Sequence, residues 1–309
     1  MPAIVENKFQ KAFQATLAKN AENVATELEK QLSDKLLKNE IARPQTLINA
    51  MQHGALNGGK RIRPFLVLET SKLFGITNKS ALRTATALEC VHCYSLIHDD
   101  LPAMDDDDLR RGQPTVHKKF NEAAAILAGD SLLTLAFDIL ADPKTHKDAN
   151  IRSELVLQLA RASGVGGMAG GQMLDLEAEE TSIDASAIKI MQSMKTGALL
   201  RYACEAGAIL GGATKAEQLA LKKYGQYIGQ AFQLADDILD VTSNEAQMGK
   251  KVSKDQEAGK GTLVNLYGVD AAQEAANKLT MQAIKIIEPF GSKAQTLIQC
   301  AQFIVSRTN

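Results

Sequence analysis

The chain is poor in the residues and patterns that mark several large classes of protein. It has no tryptophan, aromatic residues make up 5% of its 309 residues, and it has only seven prolines. Alternating Val/Ile/Thr segments between turn signals, which would indicate β-strands, are absent from the sequence. No apolar run approaches the roughly 20 residues of a membrane-spanning helix, and the amino-terminal MPAIVENK has no signal-peptide core. We therefore expect a cytoplasmic protein without a membrane span.

Charge and cysteine content exclude further classes. The formal net charge is −1 and the mean hydropathy is −0.13, so no basic excess favours nucleic acid or an anionic membrane. Four cysteines do not indicate a disulfide framework in a chain of this length. Cys90 and Cys93 form a C-x-x-C, but the sequence lacks a second cysteine pair or a histidine pair at zinc spacing. We expect both to be small buried residues on a helix.

Helix-forming residues dominate what the sequence does contain. Leucine, alanine, lysine, glutamate and glutamine are frequent throughout, which predicts an all-α fold. Because the sequence has no long Pro/Ser/Gly linker and no short-period repeat, we expect one domain over residues 1–309. The predicted helices are 4–36, 45–57, 61–74, 79–99, 119–140, 150–163, 166–181, 184–210, 215–242, 269–288 and 293–307.

The most unusual stretch runs from Tyr94 to Gly112. Six aspartates fall within residues 99–108 and two arginines follow. Adjacent carboxylates repel one another unless one is protonated or a cation is present, and aspartates without sulfur or imidazole partners suit magnesium. Pro102 should end the helix near Leu101, so Asp105 must return toward Asp99 through a turn. Taken alone, the run also fits a solvated acidic turn.

A second acidic cluster strengthens the metal interpretation. Residues 232–240 read FQLADDILD and again close an apolar helical stretch. Asp236 and Asp240 are four residues apart and therefore share one face of a helix. Two acidic walls of this kind could hold several magnesium ions between them, together with substrate phosphates.

Basic segments alternate with the acidic ones. Residues 58–64 read GGKRIRP, and Lys60 and Arg63 at a predicted helix start could share a face and bind an anion. The spacing is not that of a Walker A loop. Further lysines follow at 195, 250 and 260, although each alone would be read as a surface residue. The alternation suits a diphosphate and its magnesium ions.

Together these motifs resemble those of the trans-isoprenyl diphosphate synthases, most closely the bacterial farnesyl diphosphate synthases. Their order and spacing match over nearly the whole chain. The matching segments are GGKRxRP at 58–64, DDxxxxD followed by RRG within 99–112, the GGQxxDL that ends at Leu176, KTG at 195–197 and FQxxDDxxD at 232–240.

The resemblance implies the isoprenoid synthase fold, a helical bundle around a deep central cavity, and a homodimer. It also implies a magnesium-dependent, head-to-tail reaction. Dimethylallyl or geranyl diphosphate ionises, the double bond of isopentenyl diphosphate attacks the cation, and a proton is lost. Farnesyl diphosphate is the expected product. The aspartates and magnesium would stabilise the departing diphosphate, and the apolar cavity would shelter the cation from water.

The resemblance also implies a role for each matching residue. Three magnesium ions are expected with substrate bound, and the released diphosphate is the expected proton acceptor. The expected metal ligands are Asp99, Asp105 and Asp236, supported by Asp100, Asp237 and Asp240. The expected ligands of isopentenyl diphosphate are Lys60, Arg63, His92 and Arg111. Those of the allylic diphosphate are Arg110, Lys195, Lys250 and Lys260. Thr196 and Gln233 would face the carbocation, and with Lys195 they form the expected catalytic group.

Product length is implied by the helix before the first acidic motif. Tyr94 and Ser95 lie five and four residues before Asp99, which puts them roughly 6–7.5 Å deeper along a helix. In the family, a fifteen-carbon product is typical when an aromatic residue lies at the fifth position before the first acidic motif and that motif is of the form two residues longer, as it is here. Tyr94 would then be the floor of the cavity; the alternatives are a core ring that points elsewhere and a product of ten or twenty carbons.

Some positions depart from the family pattern, and two other functions share its features. The departures, at Ser253, Leu263-Val264 and Asn309, affect the expected lid and carboxyl terminus. Terpene cyclases and squalene-type synthases also use aspartate clusters, but they need no separate isopentenyl diphosphate site. An inactive regulatory subunit would be expected to lose aspartates. The sequence keeps both acidic motifs and the basic set Lys60, Arg63, Arg110 and Arg111, which favours the synthase.

Overall fold

Helices form nearly all of the structure, as the composition predicts. The computed structural model describes residues 2–77, 79–181, 183–247 and 263–306. Its helices are α1 Pro2–Gln31, α2 Gln45–Ala55, α3 Ile62–Leu73, α4 Lys79–Asp99, α5 Val116–Lys119, α6 Glu122–Ala141, α7 Ala149–Ser163, α8 Met168–Glu180, α9 Ala185–Lys195, α10 Gly197–Leu210, α11 Lys215–Gln247, α12 Leu263–Tyr267, α13 Val269–Ile287 and α14 Gln295–Ser306. A 3₁₀-helix, Glu288–Ala294, connects the last two.

The packing order of the helices explains how two distant motifs come together. α6 packs on α4, α4 on α3, α3 on α10, α10 on α11, and α11 on α13. Nearly every residue of α10 is buried, so this helix lies at the centre. The helix that ends in the first acidic motif (α4) and the helix that carries the second (α11) are therefore joined through α3 and α10.

The structure corrects several predicted boundaries. The predicted helix 184–210 is two helices that meet at Thr196, and α1 ends at Gln31 rather than at residue 36. A hairpin, β1 Leu109–Arg110 and β2 Gln113–Pro114, was not predicted. Its turn residues Arg111 and Gly112 both have positive φ, 53° and 75°, as a tight two-residue hairpin turn requires. Helix α12 was not predicted either.

Helix α6 corrects the expectation about apolar runs. It is 20 residues long, a window of it has a mean hydropathy of 1.7, and 39% of that window is buried. By length and composition alone it could cross a membrane. Core helices of water-soluble proteins can have the same length and composition, and α6 packs against α4 and α2. A single helix of this kind does not indicate a membrane span.

The C-x-x-C interpretation is confirmed. Cys90 and Cys93 are free thiols on α4 and are 0% and 1% exposed. Burial raises the pKa of the Cys93 thiol to about 12, so neither metal binding nor redox chemistry is favoured there. These cysteines serve as core residues.

Candidate active site

The first acidic motif folds back on itself at the end of α4. The backbone N–H of Asp105 donates to the carbonyl oxygen of Asp99 at 2.8 Å. This confirms the predicted return through a turn. Because Pro102 cannot continue the helical hydrogen bonding, the chain reverses within six residues. The two predicted metal ligands of this motif are thereby brought to one end of α4.

Asp99 lies in surroundings that disfavour its ionised form. Burial raises its pKa to about 6; the charge of Lys195 opposes the shift, while Asp105 and Asp100 add to it. A carboxylate held this way gains strongly from a cation. An all-oxygen donor set with substrate phosphates suits magnesium. The residues present therefore fit the expected metal.

A tighter group of ligand atoms lies beside the predicted one. Among the described residues, Asp106, Asp108 and His117 are the set whose ligand atoms all lie within 4.8 Å of one another. Asp108 also forms a salt bridge with Lys118 at 2.8 Å. This set includes none of Asp99, Asp105 and Asp236. Magnesium retains waters and shares phosphate oxygens, so its carboxylates need not lie in mutual contact without the ion and substrate.

Arg110 is held by the acidic loop itself. Its Nε donates to Oδ1 of Asp100 at 2.7 Å, and Asp107 lies 3.7 Å from the guanidinium. Asp100 is 3% exposed. The second aspartate of the motif thus anchors Arg110 within the loop, next to the position where an allylic diphosphate is expected.

The second acidic motif is linked to the break between α9 and α10. Gln233 donates to Oδ1 of Asp237 at 2.8 Å, and Gln192 donates to Oδ2 of the same carboxylate at 3.0 Å. Thr196 donates to Oε1 of Gln233 at 3.1 Å. Because amides occupy both oxygens of Asp237, this carboxylate orders the motif. Burial lowers the pKa of Arg63, and the negative charge of Asp236 opposes that shift.

Lys195 is positioned by Asp175, a residue for which the sequence predicted no role. Its Nζ lies 2.5 Å from Oδ2 of Asp175, the aspartate of the GGQxxDL segment. Gly171 makes this approach possible, since a Cβ there would lie 2.1 Å from the backbone nitrogen of Lys195. The glycine and the aspartate of that segment therefore both serve to place Lys195.

A basic cluster lies near the first acidic motif, since two of its members line the same cavity as Asp99. It consists of Arg63, His92 and Arg111. Burial lowers the pKa of Arg63, and burial together with the charges of Arg63 and Arg111 holds the pKa of His92 well below its usual value. Nε of Arg63 is buried and has no hydrogen-bond partner among the residues that the structure describes. Mutually repelling cations with an unsatisfied donor favour a bound anion.

The loop before α3 is built differently from the predicted helix start. Gly58, Gly59 and Arg61 have positive φ, and Lys60 precedes the helix, so it shares no helical face with Arg63. Gly59 has a φ of 112°, and a Cβ there would lie 2.6 Å from Cζ of Arg111. Arg111 donates to the carbonyl of Gly58 and, at 3.0 Å, to Oδ1 of Asn57. The hairpin and the glycine loop therefore hold each other.

Arg61 anchors this loop from inside the core. Its guanidinium forms a salt bridge with Glu89, and the two side chains are 3% and 1% exposed. It also donates to the carbonyl of Ala55 at 2.5 Å. Arg61 is therefore a positioning residue, because it fixes the start of α3, the helix that carries Arg63.

Replacing Glu89 by alanine should lower the free energy of unfolding by about 3–5 kcal/mol, because Arg61 would keep a buried charge without its partner. Denaturant unfolding measures the change. The matched control is Glu29→Ala, an exposed glutamate on α1, which should change stability by less than about 0.5 kcal/mol. Equal losses of unfolding free energy in the two variants would contradict the role of Glu89 as the buried partner of Arg61.

An apolar cavity of about 400 Å³ adjoins these groups. It is lined by residues from α3, α4, α8 and the α9–α10 junction, including Arg63, His92, Tyr94, Ser95, Asp99, Met168, Gln172, Met173, Leu176, Lys195 and Thr196. The ring of Tyr94 packs edge-on against His98 at 5.7 Å, and burial and the charge of Asp99 raise its pKa. Nε2 of Gln172 is buried and lacks a hydrogen-bond partner within the described part of the chain. Its place in the GGQxxDL segment was the only sequence signal for it.

Some predicted positions lie outside the described residues. Lys250 and Lys260, expected to bind the allylic diphosphate, belong to this group, as do Ser253 and Asn309. Val264, one of the departures from the family pattern, is buried in α12.

Comparison with known proteins agrees with the geometry. The family model described as polyprenyl synthetase matches residues 44–300. The chain belongs to the polyprenyl synthetase family. It is 46% identical to farnesyl diphosphate synthase of Escherichia coli (strain K12), over 84% of this chain and 89% of that enzyme. It is 40% identical to geranylgeranyl diphosphate synthase of Cyanophora paradoxa, over 91% and 94%.

Solved structures of the family share the fold as well. An apo crystal structure of an FPP/GFPP synthase from Zymomonas mobilis superimposes with a TM-score of 0.85 and 41% identity, covering 96% of this chain and all of that one. The expected isoprenoid synthase fold is confirmed, and the chain is a prenyltransferase of this family.

Proposed function

We propose that this prenyltransferase condenses isopentenyl diphosphate head-to-tail with dimethylallyl and then geranyl diphosphate to give farnesyl diphosphate. The observation that carries the proposal is one apolar cavity bordered by an acidic motif and by a basic cluster with an unsatisfied Arg63 donor. An allylic diphosphate with metal suits the acidic side, and a second diphosphate suits the basic side. The similar farnesyl diphosphate synthase of Escherichia coli supports the product.

Different residues bind the two diphosphates and stabilise the carbocation. Arg63 and Arg111 bind the diphosphate of isopentenyl diphosphate, and the neutral His92 donates a hydrogen bond to it. Lys195, aligned by Asp175, binds the allylic diphosphate. Thr196 and Gln233 present oxygen dipoles to the carbocation, oriented by their mutual hydrogen bond. No side chain is assigned as general base, since the released diphosphate accepts the proton.

The proposed cofactor is magnesium, three ions with substrate bound, held by Asp99, Asp105 and Asp236. When bound, it supplies positive charge to the diphosphate as the carbon–oxygen bond breaks. The apolar wall of Met168, Met173 and Leu176 keeps water away from the cation. We also propose one domain over the whole chain, since the larger of two hydrophobic clusters includes residues from Phe13 to Ile304, and a cytoplasmic enzyme.

The rival functions differ in what they consume, and this gives the test. Release of inorganic diphosphate should require magnesium and both substrates, and should stop when EDTA is added. Release from geranyl diphosphate alone would support a cyclase, and no release would support an inactive subunit; either result would overturn the proposal. A geranylgeranyl diphosphate synthase is the second candidate, because relatives with that name match at similar identity.

Replacing Arg63 by glutamine should raise KM for isopentenyl diphosphate about ten- to a hundredfold, because a charge-assisted hydrogen bond is lost. KM for geranyl diphosphate should change little. The control is Arg161→Gln, which removes an exposed arginine from α7. Steady-state kinetics separate the two constants, and a larger effect on the allylic KM would reverse the assignment of the two diphosphate sites.

We further propose a homodimer that covers one face of α6. Ile126 and Leu127 on this helix are 45% and 54% exposed, and the helix as a whole is long and apolar. A second copy would remove that surface from water. Ile126→Glu/Leu127→Glu should convert a dimer of the wild-type chain into a folded monomer in light scattering. A wild-type monomer would contradict the proposal.

A further inference from the structure

A second cavity lies apart from the one that contains Asp99. It is a groove of about 420 Å³ between α9, α10, α11 and α13. The two cavities share no lining residue, but Gln233, which has a proposed catalytic role, lines this groove. We call it the α11 groove and define it by Lys189, Gln192, Arg201, Gln233, Ala275 and Lys278. The groove is large enough for a small organic ligand.

Charges of one sign surround an apolar floor in the α11 groove. Among the described residues, its lining includes the cations Lys189, Arg201 and Lys278 but no carboxylate. Within the described part of the chain, none of the three cations has a salt bridge. Leu234 and Leu279 line the same groove. Cations above apolar surface favour a ligand with an anionic group on a hydrocarbon chain.

The α11 groove is linked to the second acidic motif by hydrogen bonds. Gln192 and Gln233 line the groove, and they donate to the two oxygens of Asp237 at 3.0 and 2.8 Å. Gln233 also accepts from Thr196 at 3.1 Å. A ligand that contacts either amide therefore contacts a group that orders the catalytic side.

We propose that the α11 groove binds a small amphipathic anion, a phosphate or carboxylate on a short apolar chain, and that binding lowers turnover at the catalytic cavity. Two amides connect the groove to Asp237, so occupancy and the arrangement of the second acidic motif become coupled. The proposed binding of the anion is argued from the lining of the α11 groove alone. The effect on turnover rests on the function proposed above.

Calorimetric titration with n-octyl phosphate in EDTA tests the binding part. We expect saturable binding of one molecule per chain, and none with octyl glucoside, which has no charge. Lys278→Gln and Arg201→Gln should each weaken binding about fivefold or more, and Ala275→Phe should abolish it by filling the groove. Lys38→Gln, which removes an exposed lysine elsewhere, and Arg63→Gln should leave the affinity unchanged.

Two results would overturn the binding part. One is the absence of saturable binding. The other is binding that survives Lys278→Gln and Ala275→Phe but is lost in Arg63→Gln, because the probe would then occupy the catalytic cavity. A carboxylate probe that binds as tightly as the phosphate probe would support a general anion site. A preference for the phosphate probe would restrict the ligand class to phosphate esters.

Turnover measured with and without octyl phosphate tests the coupling. We expect a several-fold fall in kcat without a change in KM for isopentenyl diphosphate, and no effect in Ala275→Phe. Competition with isopentenyl diphosphate, or unchanged turnover at saturating probe, would overturn the coupling. If the chain proves inactive with all substrates, the proposed function fails, while calorimetry still decides whether the groove binds the anion.

Discussion

Replacing Asp99 by asparagine should lower kcat by about a hundred- to a thousandfold, since it removes one oxygen ligand and its charge where the diphosphate departs. The chain should stay folded. Burial raises the pKa of Asp99 to about 6, so its ionised form at neutral pH costs folding free energy. Asparagine removes that cost, and the free energy of unfolding should not fall. Single-turnover kinetics and denaturant unfolding measure the two effects.

Asp108 provides the matched control in the same loop. It is an exposed aspartate that pairs with Lys118, and Asp108→Asn should change kcat by less than about threefold because surface ion pairs contribute little. Equal losses in both variants would show that the overall charge of the loop matters rather than Asp99. Full activity in Asp99→Asn would remove this residue from the metal site.

Replacing Tyr94 by alanine should lengthen the main product from fifteen to twenty carbons. The Tyr94 ring lines the cavity on the same helix as Asp99, one to two turns before it, and its removal opens space where the growing chain ends. The shift should appear as geranylgeraniol in place of farnesol after hydrolysis of the products. Consumption of isopentenyl diphosphate should continue, since the diphosphate-binding residues are unchanged.

Two variants separate the floor from other effects of losing an aromatic ring. Tyr94→Phe keeps the ring and should keep the fifteen-carbon product. Tyr267→Ala removes a ring that is 58% exposed and should leave the product unchanged. An unaltered product distribution in Tyr94→Ala would exclude this residue as the floor of the cavity.

The parts of the site that are local in sequence could be predicted. Pro102 forces the chain to turn, so the approach of Asp105 to Asp99 followed from the sequence. The four-residue spacing of Asp236 and Asp240 placed them on one helix. The break at Thr196 was missed, because helix propensity is high on both sides and the close approach of Gly171 to Lys195 decides the geometry. Tertiary contacts outweigh propensity there.

Partners distant in sequence could not be predicted. Asp175 pairs with Lys195 over 20 residues, Glu89 with Arg61 over 28, and Asp237 with Gln192 over 45. Nothing in the spacing of such residues fixes which polar group each will meet. The left-handed backbone before α3 was missed for a related reason, because Lys60 and Arg61 also fit a first helical turn. The position of Arg61 depends on the buried Glu89.

The most direct measurement is product analysis with the purified chain, magnesium, isopentenyl diphosphate and dimethylallyl diphosphate. The products are hydrolysed and the alcohols identified by gas chromatography. We predict that farnesol is the main alcohol and that EDTA abolishes it. If no alcohol longer than that of the starting allylic diphosphate is formed, with either dimethylallyl or geranyl diphosphate, the proposed function is contradicted.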